Sequence, residues 1–261
     1  MNNFLKDIIN YKKELLKREK KSPEELREAA GSCGIQRRSF KGALSAESTG
    51  IIAEIKKSSP SRGKITSKTV TGLARLYENA GADAVSVLCE DKYFSGKIDD
   101  LKKVKSVYSG PVLMKDFIIS AGQIYTGRAM GADAVLLIKA ILSNDDYLKL
   151  YTLAESMGMD ILVEVHGKRE LKEVLKVKKP GVIGVNVRDL NTFEIKKDIH
   201  FELAKIIPGG IIKVAESGIK TAADASRLKS AGYDALLVGE SIVSSQAPAR
   251  MIKELKTYDP D

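Results

Sequence analysis

Five ionisable side chains in this sequence stand at or near the ends of short apolar runs. Glu54 and Lys56 close the run that begins at Ile51, in the stretch AEIKKSSPSRG; Lys115 follows VLM, Glu164 sits inside LVEVH, and Glu216 follows KVA. A charge at the end of a buried strand costs free energy unless something there needs it. Carboxylates and ammonium groups brought into one cleft shift one another's pKa towards neutrality, as acid–base catalysis requires. Singly, a lysine or glutamate at a strand end is more often a solvated loop residue or a structural ion pair. Their recurrence at successive run ends points to catalysis. Asn186 and Arg188, in GVNVRDLNTFEI, add an amide and a guanidinium at a further run end. Lys139 and Glu240 also follow apolar runs and, taken alone, read as structural or solvated.

A second set of residues suits an anion. ESGI and GESI place Gly218 and Gly239 in turns after the last two apolar runs. Such turns let backbone N–H groups approach a phosphate, and a short helix beginning after Gly239 directs its positive end at it. Ser59 can add a hydroxyl. The bland alternative is a pair of ordinary tight turns. There is no Walker loop, no G-x-S-x-G elbow and no H-E-x-x-H. The two histidines, His166 and His200, read as surface or loop residues, with His166 pointing away from the face that carries Glu164. A metal site built from carboxylates is undercut by the adjacent lysines, so neither metal nor cofactor is expected.

The elements that must position these residues announce themselves in a repeat. GADAVSVL begins at Gly81, GADAVLLI at Gly131 and GYDALLVG at Gly232, close to two and four units of about 25 residues. Each copy is a small-residue turn feeding a short apolar run, which reads as a helix end followed by a buried strand. Strands are expected at Gly50–Ile55, Ala84–Leu88, Pro111–Met114, Ala134–Ile138, Asp160–Val165, Val182–Val185, Ile211–Ala215 and Ala235–Val238, with amphipathic helices between them. Strands alternating with helices imply a parallel sheet with crossovers of one hand. Eight units fit a closed barrel better than an open doubly wound sheet, which would want G-x-G-x-x-G after its first strand. The chemistry of such a barrel sits at the carboxyl ends of its strands, where the residues above fall. Ahead of the first strand lie a helix over about Asn3 to Lys20, a second capped by Ser22 with Pro23 at its first position and ended by Gly31, and a short segment around Phe40 to Leu44. Residues 1–261 thus read as one α/β domain, a (β/α)8 TIM barrel, with residues 1–48 as a helical N-terminal extension.

Composition narrows the class. The chain is 43% hydrophobic and 30% charged, with net charge +9, and no apolar run approaches the roughly 20 residues of a membrane span. Its start lacks the apolar block of a secretory signal. Cys33 and Cys89 lie far apart and read as reduced thiols in a cytoplasmic protein. The positive charge is dispersed among glutamates, and only 6% of residues are aromatic, so nucleic acid is not the expected partner. A phosphorylated small molecule is, for a chain expected to be monomeric.

AEIKKSSPS, CEDKYFSG, VLMKDFI, VEVH, GVNVRDLNTFEI, VAESGI and LLVGES together resemble the indole-3-glycerol phosphate synthases of tryptophan biosynthesis, from about Asn2 to Ile252. LMKDF and NVRDLNTFE are specific to that family; ESGI and VGES are shared with other phosphate-binding barrels. The resemblance implies a carboxy-lyase that converts 1-(2-carboxyphenylamino)-1-deoxyribulose 5-phosphate to indole-3-glycerol phosphate with loss of CO₂ and water. It implies that Lys56, positioned by Glu54, holds the substrate carboxylate, that Lys115 is the general acid and that Glu164 is the general base of the dehydration. Which lysine delivers each proton stays open. Asn186 would orient a hydroxyl, Glu216 bind sugar hydroxyls, and Arg188 lie beside the carboxylate. Ser59, Ser217, Gly218, Gly239 and Glu240 would form the phosphate cradle, Glu240 (serine in some relatives) only through its backbone N–H, because its carboxylate must face away from a phosphate dianion. Phe94, Phe117 and Leu190 would form a slot for the aromatic ring. Two rivals remain: a Schiff-base lyase with Lys115 as nucleophile, and a basic scaffold or nucleic-acid binder with a steep salt dependence.

Overall fold

The computed structural model describes residues 4–45, 48–59 and 63–257; Asn2 and Asn3, named above, and residues 60–62 of the stretch AEIKKSSPSRG lie outside them. Eight strands form the sheet: β1 (Gly50–Ile55), β2 (Ala84–Leu88), β3 (Val112–Lys115), β4 (Ala134–Ile138), β5 (Asp160–Val165), β6 (Val182–Asn186), β7 (Ile212–Glu216) and β8 (Ala235–Val238). Each pairs in parallel with its sequence neighbours, and β8 returns to β1, so the sheet closes into a barrel. Three strands begin and end one residue later than, or run one residue past, the expected limits, and so include Lys115, Asn186 and Glu216. These polar residues continue the ladder because Lys115 meets Glu216 at 2.8 Å inside the barrel mouth and Asn186 meets Glu164 there.

The repeat has a structural reason. Gly81, Gly131 and Gly232 have φ of 84°, 92° and 88°, the left-handed turn that ends each preceding helix. The aspartate two residues on accepts a backbone N–H at the start of the neighbouring strand. Asp83 Oδ2 takes that of Ile51 at 2.8 Å, Asp133 Oδ2 that of Val112 at 2.8 Å, and Asp234 Oδ2 that of Lys213 at 2.7 Å. These contacts stitch β1, β3 and β7 to their neighbours at the amino-terminal end of the barrel.

Side chains alternate along each strand, so every second residue faces the axis. Ile52, Leu113, Leu162 and Val214 form an apolar interior layer. Two residues further on, the same face presents Glu54, Lys115, Glu164 and Glu216. The N-terminal helices plug both ends. Helix α1 (Phe4–Lys17) sends Phe4 and Ile8 towards the carboxyl end, and α3 (Phe40–Ala43) with Leu44 closes the other, where Leu44 abuts Gly50. Between them α2 (Pro23–Gly31) carries the full capping box: Ser22 Oγ accepts from Glu25 N–H at 3.2 Å and Glu25 accepts from Ser22 N–H at 2.7 Å. The crossover helices pack outside the barrel: α4 (Val70–Asn79), α5 (Asp99–Lys105), α6 (Ala121–Ala129), α7 (Asn144–Ser156) and α8 (Lys168–Val177). So do α9 (Asp198–Ala204) and α10 (Ala222–Ser230), while α11 (Glu240–Val243) and α12 (Pro248–Thr257) follow β8.

Candidate active site

A cavity of about 370 Å³ opens at the carboxyl end of the barrel. Glu54, Lys56, Lys115, Glu164, Asn186, Arg188 and Glu216 all face it, as do Ser59, Ser217, Gly218, Gly239 and Glu240 on one side and Phe94, Phe117 and Leu190 on another. Residues 162 positions apart in sequence, Glu54 and Glu216, thereby share one hollow.

Its floor is a charge cluster. Lys115 Nζ lies 2.8 Å from Glu216 Oε2 and 3.4 Å from Glu164 Oε2, and Lys56 Nζ lies 3.0 Å from Glu54 Oε1. Burial opposes the charge on Lys115, but Glu216, Glu164 and Glu54 outweigh it and raise the ammonium above the ordinary lysine range. Burial would also raise Glu164, yet Lys115 and His166 hold it well below the usual carboxylate range. Glu54 is likewise lowered, burial being outweighed by Lys56 and Lys115. Glu216 goes the other way: burial, with the Glu164 charge added, outweighs Lys115 and pushes it up to about 7. Two neighbouring carboxyls are thus driven apart, the condition under which one carries a proton while the other stays a base.

Two glycines make room for this cluster. A Cβ on Gly184 would stand 2.1 Å from Glu216 Oε1, and one on Gly239 would stand 2.4 Å from Glu54 Oε1. Gly239, expected only in the phosphate turn, therefore also admits a buried carboxylate. In the turn after β7, Ser217 and Gly218 have φ of 69° and 74°. A serine in that region is disfavoured by about 1 kcal/mol, a strain that clusters at functional turns. Lys220 and Ser241 line the same wall, and Ser241 Oγ donates to Ile219 O at 2.7 Å, tying the turns after β7 and β8 together.

The apolar wall extends beyond the three expected residues. Phe4 packs edge-on against Tyr93 at 5.0 Å, Phe193 at 5.1 Å and Phe94 at 6.4 Å between centroids. Phe4 and Phe193 both line the cavity. Phe4 had a signal in the sequence, an i, i+4 pair with Ile8 on the apolar face of α1, but nothing said what that face covers. Buried Glu90, whose carboxylate accepts the N–H groups of Lys92, Tyr93 and Phe94, holds the loop that carries Phe94.

Both histidine expectations are corrected. His166 stands two residues after Glu164 in an extended chain, so it shares that residue's face: Nε2 is 3.2 Å from Glu164 Oε1 and Nδ1 is 3.2 Å from Glu170 Oε2. His200 is buried on α9, its Nε2 3.2 Å from the carbonyls of both Val185 and Glu216, bracing the ends of β6 and β7. Burial depresses its pKa to about 4. Lys139 is buried and occupied structurally, by Leu142 O at 3.0 Å and Glu173 at 2.8 Å.

A family profile described as indole-3-glycerol phosphate synthase matches residues 5–255. The indole-3-glycerol phosphate synthase of Mycobacteroides abscessus is 45% identical over 208 residues, 79% of this chain and 76% of its own. That of Caldanaerobacter subterraneus subsp. tengcongensis is 43% identical over 242 residues, 92% of this chain and 93% of its own. Among solved structures, thiamine phosphate pyrophosphorylase from Pyrococcus furiosus superposes with TM-score 0.61 at 15% identity, over 83% of this chain and 96% of its own. At that identity the likeness speaks for the barrel alone.

Proposed function

The chain belongs to the indole-3-glycerol phosphate synthase family, whose members are lyases, and we propose that its cavity closes an indole ring on 1-(2-carboxyphenylamino)-1-deoxyribulose 5-phosphate. One observation carries the reading: Lys115, an ammonium, and Glu164, an ionised carboxylate, lie 3.4 Å apart in one cavity. That cavity has an aromatic wall on one side and two glycine-bearing turns on another.

The phosphate sits against Ser59, Ser217, Gly218, Gly239 and the backbone N–H of Glu240, with Lys220 adding positive charge. The anthranilate ring lies among Phe94, Phe117 and Leu190, closed by Phe4 and Phe193. Lys56 and Arg188 face its carboxylate. The ring carbon bearing that carboxylate attacks the ketone carbon, and the carbonyl electron pair moves to oxygen, which takes a proton from Lys115. A lysine held above its ordinary pKa keeps that proton until an alkoxide of matching basicity develops, so it acts in the transition state. The carboxylate then leaves as CO₂, its bonding electrons restoring the aromatic ring. Finally Glu164 removes a proton from the adjacent methylene while the new hydroxyl, protonated by a pocket ammonium, departs as water. Asn186 orients that hydroxyl and Glu216 holds the sugar hydroxyls.

The Schiff-base alternative needs a neutral amine at Lys115, and three carboxylates around it favour the ammonium instead. The chain has no tryptophan, so its own emission is that of tyrosine. Adding the carboxyphenylamino substrate is expected to produce indole emission on that dark background. Glu164→Gln should slow its appearance by roughly 10²–10⁴-fold while a phosphate-bearing substrate analogue still binds. An unmodified protein that yields no indole would refute the reading, and full-speed turnover by the variant would remove Glu164 from its role.

A further inference from the structure

Glu164 is gripped from two sides. Its Oε2 faces Lys115, and its Oε1 faces the Nε2 of His166 at 3.2 Å, as an ion contact and not an in-line hydrogen bond. The far nitrogen of the same ring meets Glu170 Oε2 at 3.2 Å, and that oxygen also accepts the backbone N–H of His166 at 2.8 Å. Glu170 sits in the first turn of α8 and is 17% exposed at its side chain; His166 is 16% exposed. An ionised carboxylate offers no proton, so a ring with a carboxylate oxygen at each nitrogen is satisfied only when both nitrogens carry one.

We propose that His166 is a positioning residue for the base Glu164: an imidazolium, anchored by Glu170, that fixes one oxygen of the carboxylate so that the other, on the Lys115 side, meets the reacting proton. The inference rests on the ring-closure reading only for the identity of the base. The groups around the pair are consistent with it. Glu164 and Glu170 face the ring directly, and Asp189, on the loop after β6, lies within its electrostatic reach. Around Glu164 itself stand Lys115 from β3, Asn186 from β6 and Glu216 from β7. Burial works against a charged imidazole here, but the two glutamates outweigh it and raise the ring to about 10. Glu164 thus keeps its charge by facing two cations, and losing one of them must raise its pKa.

Two measurements test this. The first needs no variant. The chain has two histidines, so ring-nitrogen NMR of the intact protein contains two imidazoles, and His200→Asn identifies which is which. At pH 7.5 His166 is expected to be doubly protonated and His200 neutral; a neutral His166 would overturn the proposal. The second is kinetic. His166→Asn should lower kcat roughly tenfold to a hundredfold with KM little changed. It should also move the acid limb of the kcat profile to higher pH by about a unit or more. Glu170→Gln should move the limb in the same direction by less. A merely structural histidine would alter stability and leave the acid limb in place, and an unmoved limb in both variants sinks the inference. If the unmodified protein made no indole, the ring-closure reading would fail while the NMR result still judged the imidazolium.

Discussion

Asp133 and Glu164 are both carboxylates with 1% exposure, at opposite ends of one barrel. At the amino end, Asp133 is saturated. Oδ1 accepts the Arg38 N–H at 2.7 Å, Oδ2 accepts the Val112 N–H at 2.8 Å, and Lys105 reaches both at 2.6 Å. At the carboxyl end, Glu164 has looser side-chain contacts, 3.4 Å to Lys115 and 3.2 Å to His166 with Asn186 beside them, and it faces a cavity. Burying either charge is expensive. At one end backbone donors offset the expense permanently. At the other the cluster is left partly satisfied, able to exchange its contacts for those of a ligand. The difference separates charges that hold the fold from charges placed to react.

Substitutions sharpen that division. The largest effect expected is on activity, from Lys115→Met: a loss of indole formation of about 10³-fold or more, measured by emission, in a protein that still binds a phosphate analogue. Next is stability. Asp133→Asn leaves Lys105 without its counter-charge and should cost about 3–5 kcal/mol in denaturant unfolding. Smaller again is Phe4→Ala, which opens the aromatic wall and should raise KM by about tenfold, or ~1.4 kcal/mol, with kcat nearly kept. The smallest is a pH effect. His200 is buried neutral with its pKa lowered to about 4 from 6.5, so the unfolded chain binds its proton first. Stability should therefore fall as pH drops from about 6.5 towards 4, by at most roughly 3 kcal/mol. His200→Asn should flatten that stretch of the unfolding-versus-pH curve.

Much of the barrel can be read from its sequence, because the GADA and GYDA turns repeat a local device: a left-handed glycine, then an aspartate for a strand N–H. Five strands fall at their expected limits. The three that differ reach Lys115, Asn186 and Glu216, where polarity suggested that a strand must stop. It continues because Lys115 and Glu216 offset each other's burial across the barrel and Asn186 meets Glu164, a long-range fact that no local window carries. The same reason hides Gly184 and Gly239, whose missing side chains matter only beside Glu216 and Glu54. Phe4 is legible as part of an apolar helix face but not as the cover of a cavity some ninety residues further along the chain, at Phe94. His166 is a different case. The two-residue period of an extended chain places it on the face of Glu164, against the expectation that it points away.

The most direct test sets the two ends of the barrel against each other in one assay. Turnover per folded molecule is measured by indole emission for Lys115→Met and Asp133→Asn, with the folded fraction of each taken from its unfolding curve. The expected result is a loss of at least about 10³-fold for Lys115→Met and a change within about twofold for Asp133→Asn. Comparable losses in both, or normal turnover with Lys115 replaced, would contradict the assignment of chemistry to one end and architecture to the other.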